Sequence, residues 1–428
     1  MEIKRIELMP DVWLTSIRTR KFKTSCWALQ LLTPLKKDTA TMNALLPFVL
    51  CRGTARLADG ESIKDELDEL YGGQILPSVV KKGDMQCIGF RATFLDERFV
   101  PAGESLLNSA AQLMGELLLH PATRNGRLRQ DYLNEEREKM HSRMEERSAD
   151  PEKYACFRLL EHMFAGSDYA VDAYGAVESL NRVTPMRFFA QYQEVLERAP
   201  IELFYCGSAS AEELELVWRE ALMGLPRSQN RYLVATDCHR PPFEKVQIYK
   251  EYAPLQQETM ELGFRLGLGM SDILFPAMLV AYAMFVGAPS GVLQNDSEIK
   301  AMCTKITSHL CSLKGFLTVS CKGQKEQFPA LREKILCQVQ RIQEEGFTKE
   351  EFETAKRYVL RQISAIQDDP NQLYEQWLRD RAGGEAFEEN RFYAQVQDVT
   401  ESQTAAAAME LILYGACELS NRKDVPTE

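Results

Sequence analysis

Asp38-Thr-Ala-Thr-Met-Asn-Ala-Leu-Leu-Pro-Phe-Val-Leu-Cys-Arg-Gly-Thr54 is the stretch on which the reading of this chain turns. Its first four residues form a cap, and 40–51 is almost continuously apolar, which predicts a buried helix. Upstream, 12–20 alternates and Ser25-Cys-Trp-Ala-Leu-Gln-Leu-Leu32 is rich in strand formers, so a strand pair opens the chain. Downstream, Glu61-Ser-Ile-Lys-Asp-Glu-Leu-Asp-Glu-Leu-Tyr71 is a short amphipathic helix stopped by Gly72-Gly73. Strands at 74–81 and 85–95 flank a Lys82-Gly83-Asp84 turn. Helices near 103–119, 129–148, 151–165 and 185–197, a strand at 201–206 and a helix at 210–223 complete the first half.

The second half repeats this order. Strands near 245–252 and 257–266 lead to an apolar helix at 272–286, a Gly287-Ala-Pro-Ser-Gly291 break and a short helix. Strands at 303–310 and 315–321, helices at 326–345 and 349–366, further helices at 370–382 and 400–413, and a strand near 414–420 follow. Thr348 and Glu351 make a Thr-x-x-Glu capping box. Gly224, Pro226, Pro241 and Pro242 mark 224–244 as a linker. The shared order points to tandem duplication of one α+β unit.

Composition excludes several classes. Of 428 residues, 45% are hydrophobic and 26% charged, which argues against disorder. A net charge of −11 repels phosphate backbones, so nucleic acid is not expected as a partner. Arg18-Thr-Arg-Lys-Phe-Lys23 reads as a solvated strand face. Eleven cysteines without a Cys-x-x-Cys pair read as buried free thiols of a reducing compartment. Residues 1–7 have no apolar core of signal-peptide length, and the apolar run 273–287 is interrupted by Pro276 and is too short for a bilayer. A cytoplasmic protein without membrane contact is the expectation.

Cys51-Arg-Gly-Thr54 after the apolar helix, Leu70-Tyr-Gly-Gly73, Tyr174-Gly-Ala-Val-Glu-Ser-Leu180 and the break at 287–295 occur in an order that resembles the pitrilysin/insulinase family of zinc metallopeptidases, which includes the mitochondrial processing peptidases. The resemblance covers essentially the whole chain. It implies two homologous domains, 1–223 and 245–428, each an antiparallel sheet packed with helices, in a LuxS/metallohydrolase-like half-clamshell. In that family a His-x-x-Glu-His run places two imidazoles on one helix face to hold zinc, and its Glu activates the bound water. A later Glu is the third ligand.

Here the run should end just before Arg52-Gly53-Thr54, which puts the histidine positions at Ala44 and Phe48 and the base at Pro47. Counting back from Asp150-Pro151, the third ligand falls at Arg143. An alkyl group and a phenyl ring donate no lone pair, proline is no base, and a guanidinium repels a metal ion. The Asn of the family's Gly-Gly-x-x-Asn-Ala strand falls at Leu76, and the substrate-polarising Arg and Tyr fall at Ser297 and Thr304 when Gly315 is placed in register. The expectation is therefore an inactive homologue with no metal of its own and no catalytic residue.

No other site emerges. No two of His120, His141, His162, His239 and His309 are three to five residues apart. Arg158-Leu-Leu-Glu-His162 has the motif's outline with Arg in a ligand position and reads as a helix with one amphipathic histidine. Glu135-Glu136 and Glu145-Glu146 read as helix-surface charge. The family resemblance implies a non-catalytic subunit paired with an intact, zinc-bearing family member, or a module that holds peptide or unfolded polypeptide. In some bacteria it also implies a link to modification of translation elongation factor P. A weakly active peptidase with an unrecognised site and a purely structural homodimer stay open at this level.

Overall fold

The computed structural model describes residues 1–101, 104–238, 245–253, 257–388 and 391–421. They form two compact units, each with its own sheet. Unit 1 comprises Met1–Met144, Val171–Ala235 and Asp368–Leu378; unit 2 comprises Glu145–Ala170, Thr236–Gln367 and Arg379–Glu428. The units are thus not contiguous halves: 145–170 and 368–378 each join the unit built mainly from the other half. Of the expected linker, 239–244, with His239, Pro241 and Pro242, lies outside the described residues.

Unit 1 has strands β1 (Glu2–Met9), β2 (Val12–Arg18), β3 (Thr24–Pro34), β4 (Gln74–Lys82) and β5 (Met85–Leu95), a two-residue hairpin of β6 (Thr123–Arg124) and β7 (Arg127–Leu128), and β8 (Ile201–Gly207). The main sheet runs β1-β2-β8-β3-β5-β4. Unit 2 has β9 (Gln247–Ala253), β10 (Thr259–Arg265), β11 (Cys303–Cys311), β12 (Phe316–Gly323) and β13 (Ile412–Asn421), in the order β11-β12-β10-β13-β9. Read from the other edge, unit 2 is β9-β13-β10-β12-β11, the same path as β2-β8-β3-β5-β4. The duplication read from motif order is therefore also a duplication of topology.

Two expectations change. The sheets are mixed, not antiparallel, because β2 pairs parallel with β8 and β9 parallel with β13. In each unit the last strand inserts between the first two and opposes the second, so it must run with the first. The added edge strand β1 was not anticipated: only Leu8 in it is buried, so it carries no clean alternation.

Helix α1 (Ala40–Leu50) is buried along nearly its whole length and lies against β4 and β5. Thr39 is its N-cap position but accepts no side-chain hydrogen bond, so the capping expected from 38–41 is not made. Helix α2 (Gly60–Glu69) is capped by Asp59, which accepts from the Ser62 amide. Helix α3 (Leu106–Leu119) is followed by α4 (Gln130–Ala149) and α5 (Pro151–Met163). On the core of unit 1, Trp27 meets Tyr205 edge-on at 4.9 Å. In unit 2, α5 packs on β10 and β13, and Gly263 permits the approach: a Cβ there would collide with Met163 Sδ. The helical run Phe275–Asn295 is 21 residues long and apolar enough to cross a membrane by length and composition, longer than the sequence suggested; 67% of its apolar window is buried inside the fold.

Candidate functional site

The site expected from the resemblance lies in unit 1, where α1 and α4 supply its side chains. Asn43, one residue before the first ligand position, is the hub of a buried polar network. Its Nδ2 donates to Thr33 Oγ1 at 3.2 Å and Gln86 Oε1 at 3.1 Å, and its Oδ1 accepts from Gln191 Nε2 at 2.8 Å. Gln86 Nε2 donates in turn to the carbonyls of Ala40 and Ala173. The Tyr174–Leu180 motif joins here: the Ala176 amide donates to Thr41 Oγ1 at 3.1 Å. Gly175 is required by two facts at once, a φ of 75° and a Cβ position that would overlap Thr41 Oγ1. These contacts fix where α1 starts and which way it faces.

Ala44 is fully buried in the core, Pro47 sits inside the helix, and Phe48 is half-buried. Arg143 on α4 places its guanidinium over the Phe48 ring, 4.1 Å from the centroid. The fold thus brings Phe48 and Arg143 together in a cation–π contact, at the positions where the resemblance puts the family's metal. Arg143 Nη1 stands 3.5 Å from Glu136 Oε2 and has no hydrogen-bond partner. Lys139 Nζ donates to Glu136 Oε1 at 2.8 Å, and Arg52 Nε is 3.9 Å from the same oxygen. Arg52 Nη2 also donates to Glu135.

Three cations therefore surround two carboxylates, one of which, Glu136, is only 3% exposed. Sequence reasoning had placed Glu136 on a solvent-facing helix surface, and the structure corrects this. The signal was present: Leu133, Glu136, Met140 and Met144 follow helical spacing, and all are buried. Glu136 also precedes Arg143 by seven residues, two turns on the same face. These residues do not fit a zinc ion. Ala44, Pro47 and Phe48 offer no donor, and Arg143 adds a positive charge beside them.

Leu76 lies on edge strand β4, 60% exposed, and its cross-strand partner is Arg91. Beside it is a groove of about 430 Å³ lined by Gln74, Leu76, Ser78, Arg91, Asn371 and Glu375, among others. Arg91 donates to Asn371 Oδ1 at 2.6 Å and stacks 4.3 Å from the Tyr374 ring centroid. In unit 2, Ser297 is exposed in the first turn of the helix Ser297–Met302, and Thr304 sits at the β11 irregularity. Thr304 Oγ1 donates to the Lys322 carbonyl and accepts from Gln257 Nε2.

The decoy at 158–162 is an ion-pair cluster. Arg158 Nε donates to Glu251 Oε2 at 2.6 Å, and His162 lies 3.0 Å from Glu251 Oε1 while stacking on Tyr249 at 3.7 Å. All eleven cysteines are free thiols; six are buried, but Cys337 is exposed, against the expectation from its apolar neighbours.

A two-unit α+β scaffold in which the positions that the resemblance assigns to a metal carry a phenyl ring and a guanidinium is the class of protein this geometry defines, and comparisons with known proteins show what it is similar to. Residues 182–359 match the family model described as the peptidase M16 inactive domain. The chain is 25% identical over 400 residues, 93% of both chains, to a protein of Bacillus subtilis (strain 168) named probable inactive metalloprotease YmfF. Its fold matches a conserved protein from Enterococcus faecalis V583 with a TM-score of 0.88 at 20% identity, covering 99% of both chains. It also matches a peptidase M16 inactive domain from Pseudomonas fluorescens with a TM-score of 0.80 at 16% identity, covering 98% of both chains. By these comparisons the chain is similar to non-catalytic members of the peptidase M16 family, the pitrilysin/insulinase group.

Proposed function

We propose that this chain is the peptide-holding, non-catalytic subunit of a cytoplasmic heterodimeric zinc peptidase whose partner carries the metal. The observation that carries the reading is the outer edge of β4. It is unpaired among the described residues, presents Leu76 to solvent and borders a groove large enough for side chains. An open edge lets an extended peptide add as a strand, with main-chain hydrogen bonds for affinity and groove contacts for selectivity. Pro77 limits this, since it offers no N–H; proline is tolerated in a sheet where its nitrogen faces the free edge. Meanwhile Phe48, Arg143 and Glu136 fill the chemical centre with mutual packing, so holding without cleaving is what the arrangement supports.

The test is co-purification followed by reconstitution. Recovery of a second chain with an intact His-x-x-Glu-His run, and zinc-dependent cleavage of unfolded peptides by the pair alone, is the expected result. Stoichiometric zinc and chelator-sensitive cleavage by this chain alone would overturn it, and a homodimer that binds no peptide would favour a structural role. Loss of elongation factor P modification on deletion of the chain would identify one client pathway.

A further inference from the structure

We infer that the former metal position has become a carboxylate receptor, with Arg143 binding the C-terminal carboxylate of a peptide. The inference rests on the peptide-holding reading for its biological setting, but its chemistry stands on the α1–α4 cluster.

Arg143 makes one ion contact, at 3.5 Å to Glu136, and one ring contact, with Phe48. Its Nη1 is buried and has no hydrogen-bond partner among the described residues, while the side chain as a whole is 35% exposed. Such a group normally finds acceptors, because desolvated N–H donors left unpaired are costly. The surroundings do not supply them. Glu136 already receives the Lys139 ammonium at 2.8 Å and has Arg52 at 3.9 Å, and Glu135 is taken by Arg52. Counting Arg52, Lys139 and Arg143 against Glu135 and Glu136 leaves one positive charge in excess.

The geometry is also pre-ordered. Phe48 packs against the guanidinium, and Glu136 stands 3.5 Å from Nη1, so the group is restrained on two sides. A planar fork with unused N–H groups matches a carboxylate, which can accept two parallel hydrogen bonds. A metal ion would present a charge to a peptide carbonyl; a fixed guanidinium presents one to a full anion and offers no activated water. A receptor of this kind retains a chain end.

The experiment uses the full chain with guanidinium-13C-labelled arginine, titrated with N-acetylalanine and with N-acetylalanine amide. The same chain is then titrated with one unstructured twelve-residue peptide, containing an internal Glu, as free acid and as C-terminal amide. The expectation is that N-acetylalanine but not its amide shifts one arginine resonance, that this resonance is missing in Arg143→Met, and that the free-acid peptide binds about tenfold or more tightly than the amide. Arg143→Met should abolish that preference and Arg143→Lys should recover part of it, while circular dichroism confirms that both variants fold.

The outcomes separate the two readings. Equal binding of both peptides without a response to N-acetylalanine overturns the carboxylate site and leaves peptide holding intact. A response to N-acetylalanine without peptide binding does the reverse. Tight binding of both peptides through the internal Glu, lost in Arg143→Met, overturns the assignment to the chain end. No response to any probe overturns both readings.

Discussion

Glu261, in the middle of β10, faces Ser320 on β12 and Cys417 on β13 and is 2% exposed. One of its oxygens, Oε2, has no hydrogen-bond partner. Burial pushes its carboxyl from 4.5 up to about 8; the hydroxyls of Ser320 and Thr318 pull the other way, and the Glu152 charge adds to the rise. At neutral pH the native sheet therefore holds this group protonated, whereas the unfolded chain ionises it. The native state binds more protons between pH 4.5 and 8, so this group's contribution is least unfavourable below 4.5 and stability falls as pH rises through that window. At pH 7 the difference of about two and a half units is worth about 3 kcal/mol. Glu261→Gln keeps the shape and removes the titration. Guanidinium unfolding of both proteins, followed by circular dichroism at intervals from about pH 3 to 8, should show nearly constant separation below about pH 4. The variant's advantage should then grow by about 3 kcal/mol toward neutrality. Taking the difference between the two proteins cancels the other titrating groups. Parallel pH profiles would show that Glu261 is ionised in the native state and that the burial argument is wrong.

Asn43→Leu should cost about 2–4 kcal/mol, because it leaves Gln86 Oε1 and Gln191 Nε2 buried without their partner; a thermal melt unchanged from the parent would refute the network's role. Thr348→Ala should cost about 1 kcal/mol by removing the hydroxyl that accepts from the Glu351 amide, while the backbone half of the capping box stays; it is read as a lower denaturation midpoint with an unchanged slope. Arg143→Glu alone should bring in no zinc, since Ala44 and Phe48 remain without donors. The combined Ala44→His, Pro47→Glu, Phe48→His and Arg143→Glu protein should approach one zinc per chain by elemental analysis after dialysis, and metal in the single variant would contradict this reasoning.

The features legible in the sequence were those with a strong local period or a fixed turn. The apolar helix at 40–51, the Gly72-Gly73 stop and the Thr348–Glu351 box all appear within a residue or two of their expected places. Elements defined by partners were harder. The strand at the chain's start is recognisable only once β2 is there to pair with it. The last strand starts at Ile412, and the helix before it stops at Ala408, because pairing with β10 takes over residues whose local composition favours helix. The parallel pairs follow from strand order, which no local pattern encodes. In the site, the residue types at Ala44, Pro47 and Phe48 are read directly from the sequence, and the structure adds that Phe48 packs on Arg143. The burial of Glu136 was obscured because its acidic neighbours dominated the reading of the helix, although the apolar residues at helical spacing pointed inward.

The two ends of α1 are constrained in different ways. Its first turn is tied by Asn43, Thr41 and the Ala40 carbonyl to β3, β5 and the Gly175 turn, and every one of those groups is satisfied. Its second half carries Pro47, which removes an N–H from the helical ladder in the very turn that must be regular to aim two imidazoles at one metal. A helix retained only for bulk would not need a buried amide network costly to leave half-made. A helix retained for catalysis would not tolerate proline there. What both halves serve is a fixed platform: the polar network sets the position of α1, and Phe48 on its far half holds the Arg143 guanidinium in place. Where the resemblance places a metal, the fold thus holds a guanidinium packed on a fixed helix.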